Sequence, residues 1–317
     1  MKNINEMTSR EAMALPKSYQ ASVIEDLRLE YLNLTKKELL EIIYSTKSDL
    51  SNRWAAGTIL GLSGDERINI LNPSMMDIPQ AEIYIGSDQH EINNAYIIYE
   101  KVGVKKEWLL KEYPKHKVFI PSFKIGKYPV TNYEYLFFLK DTAYEGIPSS
   151  WKFGVYDPLK SNHPVYGITP QDADAYVIWL SKKTNRKFKL PTEYEWEYAA
   201  AGDDGREFPW GNVFSSDLTN TLESKIYSTT PVGIFPAGVS PFGCLDMAGN
   251  VEEFVENNYF AYPSSETIDD DLNKSGDYRV ARGGSFTRYV DLARCRRRHG
   301  FYNKEIYVIG FRLAETI

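Results

Sequence analysis

Hydrophobic residues recur with a helical period in the first part of the chain and alternate with polar residues after it. Thr35 and Glu38 form a capping box, and the apolar residues behind them lie three or four positions apart. This spacing predicts helical structure over 20–62, with a stop at the closing glycines. We therefore predict a small helical N-terminal segment over residues 1–74.

The pattern of apolar and polar residues changes after Pro73. The segments "AEIYIGSD" (81–88) and "HKVFIPSFKIGKYPV" (116–130) alternate apolar with polar residues and are rich in β-branched and aromatic side chains. Both features predict strands. The polar stretch 88–115 between them shows neither period, and we interpret it only as an insertion.

Three later segments have the apolar spacing of helices: "TNYEYLFFLKDT" (131–142), "TPQDADAYVIWLSKKT" (169–184) and "LPTEYEWEYAAAG" (190–202). Thr131 and Thr192 each stand three residues before a glutamate, which is again the pattern of a capping box. From residue 205 onward Gly and Pro separate short aromatic stretches, which predicts short strands and long loops. The order of these elements indicates an α+β fold with one core over 75–317.

Composition and charge narrow the classes of function. With 317 residues, 43% of them hydrophobic, the chain can bury a sizeable core. A net charge of −6 argues against general nucleic-acid binding, which needs a broad basic surface. No apolar run approaches the ~18 residues of a membrane-spanning helix, and the N-terminus lacks the apolar core of a signal peptide. With only two cysteines, Cys244 and Cys295, the sequence predicts a cytoplasmic protein without a membrane partner.

Seven motifs now stand in a fixed order along most of the chain: 127–135, 163–181, 189–202, 208–212, 240–254, 279–286 and 309–314. Together they resemble the sulfatase-modifying-factor domain, the family of the formylglycine-generating enzyme. The resemblance implies a variant of the C-type lectin fold over 75–317, with much irregular structure.

The stretch "LDMAGNVEEF" (245–254) resembles a structural calcium site of that family. The resemblance carries Asp246, Gly249, Val251 and Glu253 over as ligands, and side-chain and carbonyl oxygens are the ligands that calcium prefers. The alternative is a turn in which Asp246 and Glu253 pair with arginines such as Arg282 or Arg312.

The chemistry of the formylglycine-generating enzyme depends on copper held by two cysteines just after a GGS motif. Here GGS is 283–285, and residues 286–293 contain no cysteine. Copper needs such soft thiolate ligands. The chain therefore resembles a cysteine-less branch, and we expect neither copper nor formylglycine synthesis. An iron-dependent branch uses histidines of an N-terminal helical domain, and residues 1–89 contain none.

The segment 286–307 is the most individual part of the sequence. Its basic and aromatic side chains suit a carboxylate, a phosphate or an acidic peptide. The candidate ligand-binding residues are Arg288, Tyr289, Arg296, Arg298, His299 and Tyr302. The alternative is a solvated or an intramolecular charge cluster, for which the acidic loop 264–277 is the obvious internal partner.

Two hypotheses of function remain open from the sequence. The first is a non-catalytic module that recognises a small acidic ligand or a protein or peptide partner through 286–307. The second is an oxidoreductase that resembles the pyoverdine-maturation oxidase, with Glu252, Arg288 and His299 as candidate catalytic residues. Glu252 stands where the family usually has tryptophan. An enclosed cavity beneath 286–307 favours the enzyme, and a flat basic surface favours recognition.

Overall fold

The structure is a computed structural model that describes residues 4–20, 23–24, 28–272 and 276–317. In these ranges the chain forms eight α-helices: α1 (Ser9–Ala12), α2 (Lys36–Tyr44), α3 (Leu50–Leu62), α4 (Gln89–Tyr99), α5 (Lys106–Leu110), α6 (Asn132–Thr142), α7 (Pro170–Thr184) and α8 (Glu193–Ala201). The strands of the same ranges are β1 (Met75–Ile78), β2 (Ala81–Ile85), β3 (His116–Ile120), β4 (Phe123–Gly126), β5 (Phe188–Lys189), β6 (Glu252–Asn258), β7 (Arg279–Arg282), β8 (His299–Gly300), β9 (Ile309–Phe311) and β10 (Ala314–Thr316).

The capping boxes predicted from the sequence begin three of these helices. Thr35, Thr131 and Thr192 each accept a hydrogen bond from the backbone N–H three residues on, and the glutamate there accepts one from the threonine N–H. This reciprocal pair satisfies two backbone donors that a helix otherwise leaves unpaired. The helical prediction over 20–62 is right for α2 and α3, while residues 21–22 and 25–27 lie outside the described residues.

The stretch 88–115, interpreted from the sequence only as an insertion, forms the helix pair α4 and α5. A capping box of Asp88 and Glu91 begins α4, and this local signal was present in the sequence. Ile92 and Leu109 are fully buried between the two helices. The pair is therefore a packed element, and its second helix carries side chains to the site described below.

The strands form three sheets. Their orders are β1-β4-β10-β5, β2-β3 and β8-β7-β6-β9. In the third sheet β6 runs parallel to β9, and β7 lies antiparallel between β6 and β8. Because β6 and β8 both flank β7, Glu252 on β6 and His299 on β8 come from opposite sides of one central strand. The mixed α and β content predicted from the sequence is confirmed.

Buried ion pairs tie the helices to the third sheet. Arg282 contacts Glu197 of α8 and lies 3.5 Å from Glu193 of the same helix. Arg312 pairs with Glu253 of β6. Such pairs offset the cost of burying charge only when their hydrogen bonds are complete, so they fix the relative positions of the elements that carry them.

The N-terminal helices pack directly on the rest of the chain. Asn162 donates from Nδ2 to the Gly57 carbonyl of α3 (2.8 Å) and to the Asp65 carboxylate (2.9 Å). The division into 1–74 and 75–317 stays a prediction. None of the described helices is long and apolar enough to cross a membrane.

Candidate functional site

A buried glutamate and a buried histidine form the centre of the candidate site. His299 Nδ1 lies 2.6 Å from Glu252 Oε2, and Glu252 is fully buried. The imidazole stacks on the Tyr307 ring, with centroids 5.2 Å apart and planes 12° from parallel. Two of the three candidate catalytic residues are therefore in direct contact. An aromatic ring, that of Tyr307, packs against one face of the imidazole.

Burial keeps His299 neutral. It lowers the pKa of His299 to about 4, although Glu252 acts in the opposite direction. When Nδ1–H donates to the carboxylate, Nε2 is left as the nitrogen with a lone pair. The Glu252 Oε1 atom has no hydrogen-bond partner among the described residues. This arrangement can accept a proton at the ring and hold the resulting charge beside a carboxylate.

Arg288 also contacts Tyr307. Its guanidinium carbon is 5.1 Å from the ring centroid, a cation–π distance. The side chain is buried, and Nη1 finds no hydrogen-bond partner in the described part of the chain. The structure thus brings Glu252, Arg288 and His299 together around one tyrosine.

Arg288, His299 and Tyr307 line a small, partly open cavity of about 20 Å³, which holds a water molecule or two. Its other walls come from segments far apart in sequence: Ile4, Asn5, Trp108, Lys111, Asp270, Asp271, Leu272 and Arg297. Trp108 lies on α5 and Lys111 directly follows that helix, both in the stretch 88–115 that the sequence pattern left uninterpreted. The residues of 286–307 that face this space therefore line a small concave site and not a flat basic surface, which is closer to the geometry expected of an enzyme.

Three cationic and two acidic side chains line the cavity: Lys111, Arg288 and Arg297, with Asp270 and Asp271. Lys111 is ion-paired with Asp270 and donates to the Tyr278 hydroxyl (3.0 Å). Burial lowers the pKa of Lys111 to about 8, against the raising effect of Asp270. Arg297 lies 3.7 Å from Asp291, but its Nε makes no hydrogen bond within the described ranges. The acidic loop 264–277 therefore pairs with a lysine here.

The remaining candidate ligand-binding residues lie elsewhere. Arg298 makes two bonds to Glu193, of 2.7 and 2.8 Å, and Arg296 lies 3.2 Å from Glu91. Both arginines are buried in intramolecular ion pairs and do not line the cavity, and their partners lie on α8 and α4 rather than in the acidic loop 264–277. Tyr302 packs on Tyr307 at 5.8 Å.

Two hydrogen-bonded carboxylates occupy the segment predicted to bind calcium. Arg312 donates to both oxygens of Glu253 at 2.6 Å, and Trp196 Nε1 donates to one of them, also at 2.6 Å. Asp246 accepts from the Gly233 N–H (2.6 Å), and burial raises the pKa of Asp246 to about 6. No ion pair of Asp246 is found among the described residues. A cation would suit Asp246 better than Glu253, whose charge Arg312 already balances.

Gly249 in that segment is required by a close approach of the chain. Its φ is +76°, and a Cβ there would lie 2.6 Å from the Asn220 carbonyl oxygen. Only glycine fits this contact without a shift. The turn around Asn250 is therefore held against 219–221.

Neither cysteine is exposed or activated. Cys244 and Cys295 are both fully buried, and burial raises the pKa of the two thiols, that of Cys244 to about 11. Within the described residues no group of three or more His, Cys, Asp or Glu could hold a metal ion. A calcium site at 246–253 would thus depend on Asp246 and backbone carbonyls.

Comparisons with known proteins place this geometry in context. The profile of the Sulfatase-modifying factor enzyme 1-like domain matches residues 65–317. Hercynine oxygenase of Mycolicibacterium smegmatis is 34% identical over 212 residues, 55% of this chain and 48% of that protein. Serine/threonine-protein kinase pkn1 of Chlamydia caviae is 29% identical over 281 residues, 78% of this chain and 43% of the kinase. The chain spans about half the length of these curated relatives.

A solved structure agrees with the profile. The structure of PvdO from Pseudomonas aeruginosa superposes with a TM-score of 0.60 and 25% identity, covering 78% of this chain and 95% of that one. Treponema denticola variable protein 1, at 19% identity and a TM-score of 0.54, shares the fold.

Proposed function

The chain belongs to the family of the Sulfatase-modifying factor enzyme 1-like domain, and we propose that it binds a small acidic molecule and oxidises it. The contact between Glu252 and His299 beneath the cavity carries this proposal. A pure recognition surface needs no buried acid–base pair, whereas proton abstraction from a substrate does.

The residues in and beside the cavity have separate roles in the proposed reaction. Arg288 binds the acidic group of the substrate, since its Nη1 is buried and has no described hydrogen-bond partner. His299 removes a proton from the bound molecule, and Glu252 orients the imidazole and stabilises its charged form. Tyr307 packs against both Arg288 and His299 and fixes the distance between them.

The relative named hercynine oxygenase suggests molecular oxygen as the electron acceptor. In the balanced reaction the substrate loses two electrons and two protons, and dioxygen becomes hydrogen peroxide. His299 receives one of the two protons and passes it to the reduced oxygen, and the second proton goes from the substrate to the same oxygen, so that both end in hydrogen peroxide. We propose neither copper held by a cysteine pair nor formylglycine synthesis. The proposed reaction needs neither a nucleic acid nor a membrane.

Recognition without turnover is the second candidate function, and the partner would then be a small acidic ligand, a protein or a peptide. The relationship to a protein kinase over 78% of this chain favours it, because a kinase carries its own catalytic domain and uses other domains for recognition. The two functions share the binding step and differ only in whether oxygen is consumed.

We expect small carboxylates or phosphates to stabilise the protein in a thermal-shift screen. Arg288→Gln should weaken binding of the best ligand by about 10–100-fold, because a charge-assisted hydrogen bond contributes roughly 1.5–3 kcal/mol. Tyr302→Phe is the control variant and should bind as the wild type does. Oxygen uptake with that ligand, measured at an electrode, then separates the two functions. Binding with no oxygen uptake would leave recognition as the function, and unchanged binding by Arg288→Gln would place the ligand elsewhere.

We also propose that the segment 246–253 binds a structural calcium ion. Asp246 is the carboxylate best placed to bind it, with the carbonyls of Gly249 and Val251, while the contribution of Glu253 is limited by Arg312.

The calcium proposal predicts that calcium raises the melting temperature of chelator-treated wild-type protein. The same addition should leave Asp246→Asn unchanged, because the amide lacks the charge that holds the ion. Magnesium, which demands a tighter octahedral site, is the control ion. Equal stabilisation of the two proteins by calcium would rule out Asp246 as a ligand.

A further inference from the structure

The N-terminal residues lie across the cavity that holds Arg288 and His299. Ile4 and Asn5 form part of its lining, and the Tyr307 hydroxyl donates to Asn5 Oδ1 at 2.6 Å. We name residues 4–12 the strap. With the strap in place, the space beside His299 is too small for any substrate larger than water.

A second cavity lies on the other side of the strap. It has a volume of about 200 Å³ and shares Ile4, Trp108 and Arg288 with the first cavity. Met7 and Ala12 of the strap also line it. Because Ile4 lines both spaces together with Trp108 and Arg288, moving the Ile4 side chain aside would join the two spaces into one cleft.

The strap is less buried at its tip than at its end. Asn5 Nδ2 also donates to Asp271 (3.5 Å), Lys304 Nζ donates to the Met7 carbonyl (2.8 Å), and Ser9 Oγ makes an exposed bond to Glu305 (3.2 Å). Ile4 and Met7 are half-buried against the main hydrophobic core, in which Ala12 is buried. Because the tip buries a smaller fraction of its apolar surface than the end does, it can open while the end stays packed.

The joined cleft has two chemically different ends. At one end Arg288 Nη1 and Arg297 Nε are buried without a described hydrogen-bond partner, while Lys111 beside them is paired with Asp270, and Asp271 also lines this end. At the other end Val102, Val104, Trp108 and Tyr289 supply apolar and aromatic surface. Such a cleft fits an anion carried on an apolar or aromatic body.

We infer that the strap is a removable cover, and that displacement of its tip opens one cleft for an amphipathic anion whose charged group binds at Arg288. The inference rests on the proposed function for the role of the site. Its claim about access, however, concerns the chain alone and can be tested without a substrate or turnover.

The test is site-resolved labelling of histidines by diethyl pyrocarbonate, read by peptide mass spectrometry on the full chain. The reagent needs a neutral, accessible imidazole, and His299 is 8% exposed. The double variant Ile4→Gly/Asn5→Ala should label at His299 about tenfold faster than wild type, the factor that corresponds to ~1.4 kcal/mol of lost contact. Glu6→Ala, which changes an exposed side chain of the strap that lines neither cavity, is the matched control and should label as wild type does.

Two other histidines report on the rest of the fold. Exposed His90 should label at one rate in every protein, and buried His163 should stay slow. Benzoate, an aromatic carboxylate, should slow labelling of His299 in the double variant. An unchanged His299 rate would overturn the strap as a cover, and a parallel rise at His163 would show that the strap only maintains the fold. Faster labelling without benzoate protection would overturn the ligand class and leave the cover in place.

Discussion

Replacing Arg312 with methionine lowers the free energy of unfolding by about 3–5 kcal/mol, the usual cost of leaving a buried charge without its partner. The Arg312 side chain is fully buried. It donates to both Glu253 oxygens, to the Gly126 carbonyl (2.8 Å) and to the Leu245 carbonyl (3.0 Å). Methionine fills much of the volume but satisfies none of these acceptors, so the Glu253 carboxylate loses its counter-ion.

Urea unfolding followed by circular dichroism measures this loss. The matched control is Lys183→Met, which breaks a half-exposed pair with Asp141 (3.0 Å) and should cost less than about 1 kcal/mol. The double variant Arg312→Met/Glu253→Gln should recover part of the lost stability, because no isolated charge then remains buried. A cost for Arg312→Met no larger than that of the control would contradict the role given to this pair.

Replacing His299 with asparagine lowers turnover by about 10²–10⁴-fold, the range expected when a general base is lost. Binding of the acidic ligand should change little, because Arg288 holds its charged group. Initial rates of oxygen uptake measure turnover, and thermal shift measures binding. Glu252→Gln should reduce turnover in the same direction, whereas Tyr302→Phe should not. Loss of binding and turnover together in His299→Asn would mean that the histidine positions the ligand.

The pH profile gives the same prediction a second readout. The imidazole must be neutral to accept a proton, and burial lowers the pKa of His299 to about 4. Turnover at saturation should therefore stay level as pH falls from 7 and decline only as it approaches that value. A decline centred near 6.5, the ordinary pKa of histidine, would show that the base is exposed in the working enzyme.

The sequence predicted the features that depend on residues close together in the chain. It missed the contacts between residues far apart in the chain. The capping boxes at Thr35, Thr131 and Thr192 lie within four residues of their partners, so spacing alone located three helices. The capping box at Asp88 was equally local, but the polar residues that follow it hid the helix. Family resemblance located the core fold, which the profile match over 65–317 supports.

The cavity could be predicted only in part. Glu252 drew attention because it replaces an aromatic residue of the family, and His299 because it lies in the individual segment 286–307. Their contact depends on the pairing of β6 and β8 with β7, which no sequence pattern states. Lys111 and Ile4 reach the same space from segments more than 100 residues apart. Arg296 and Arg298 pair with glutamates of α4 and α8, and Arg294 pairs with Glu112 and Glu207. Alternation along a strand cannot predict these distant pairs.

The central claim is that a small anion enters the cavity beside His299. The most direct measurement is a benzoate titration of protein labelled with ¹⁵N in its histidines, followed by NMR of the imidazole nitrogens. Binding at Arg288 predicts a saturable shift of the His299 signals, with those of buried His163 and exposed His90 unchanged. His299 signals that stay fixed up to about 10 mM benzoate, well above a millimolar dissociation constant, would contradict the claim.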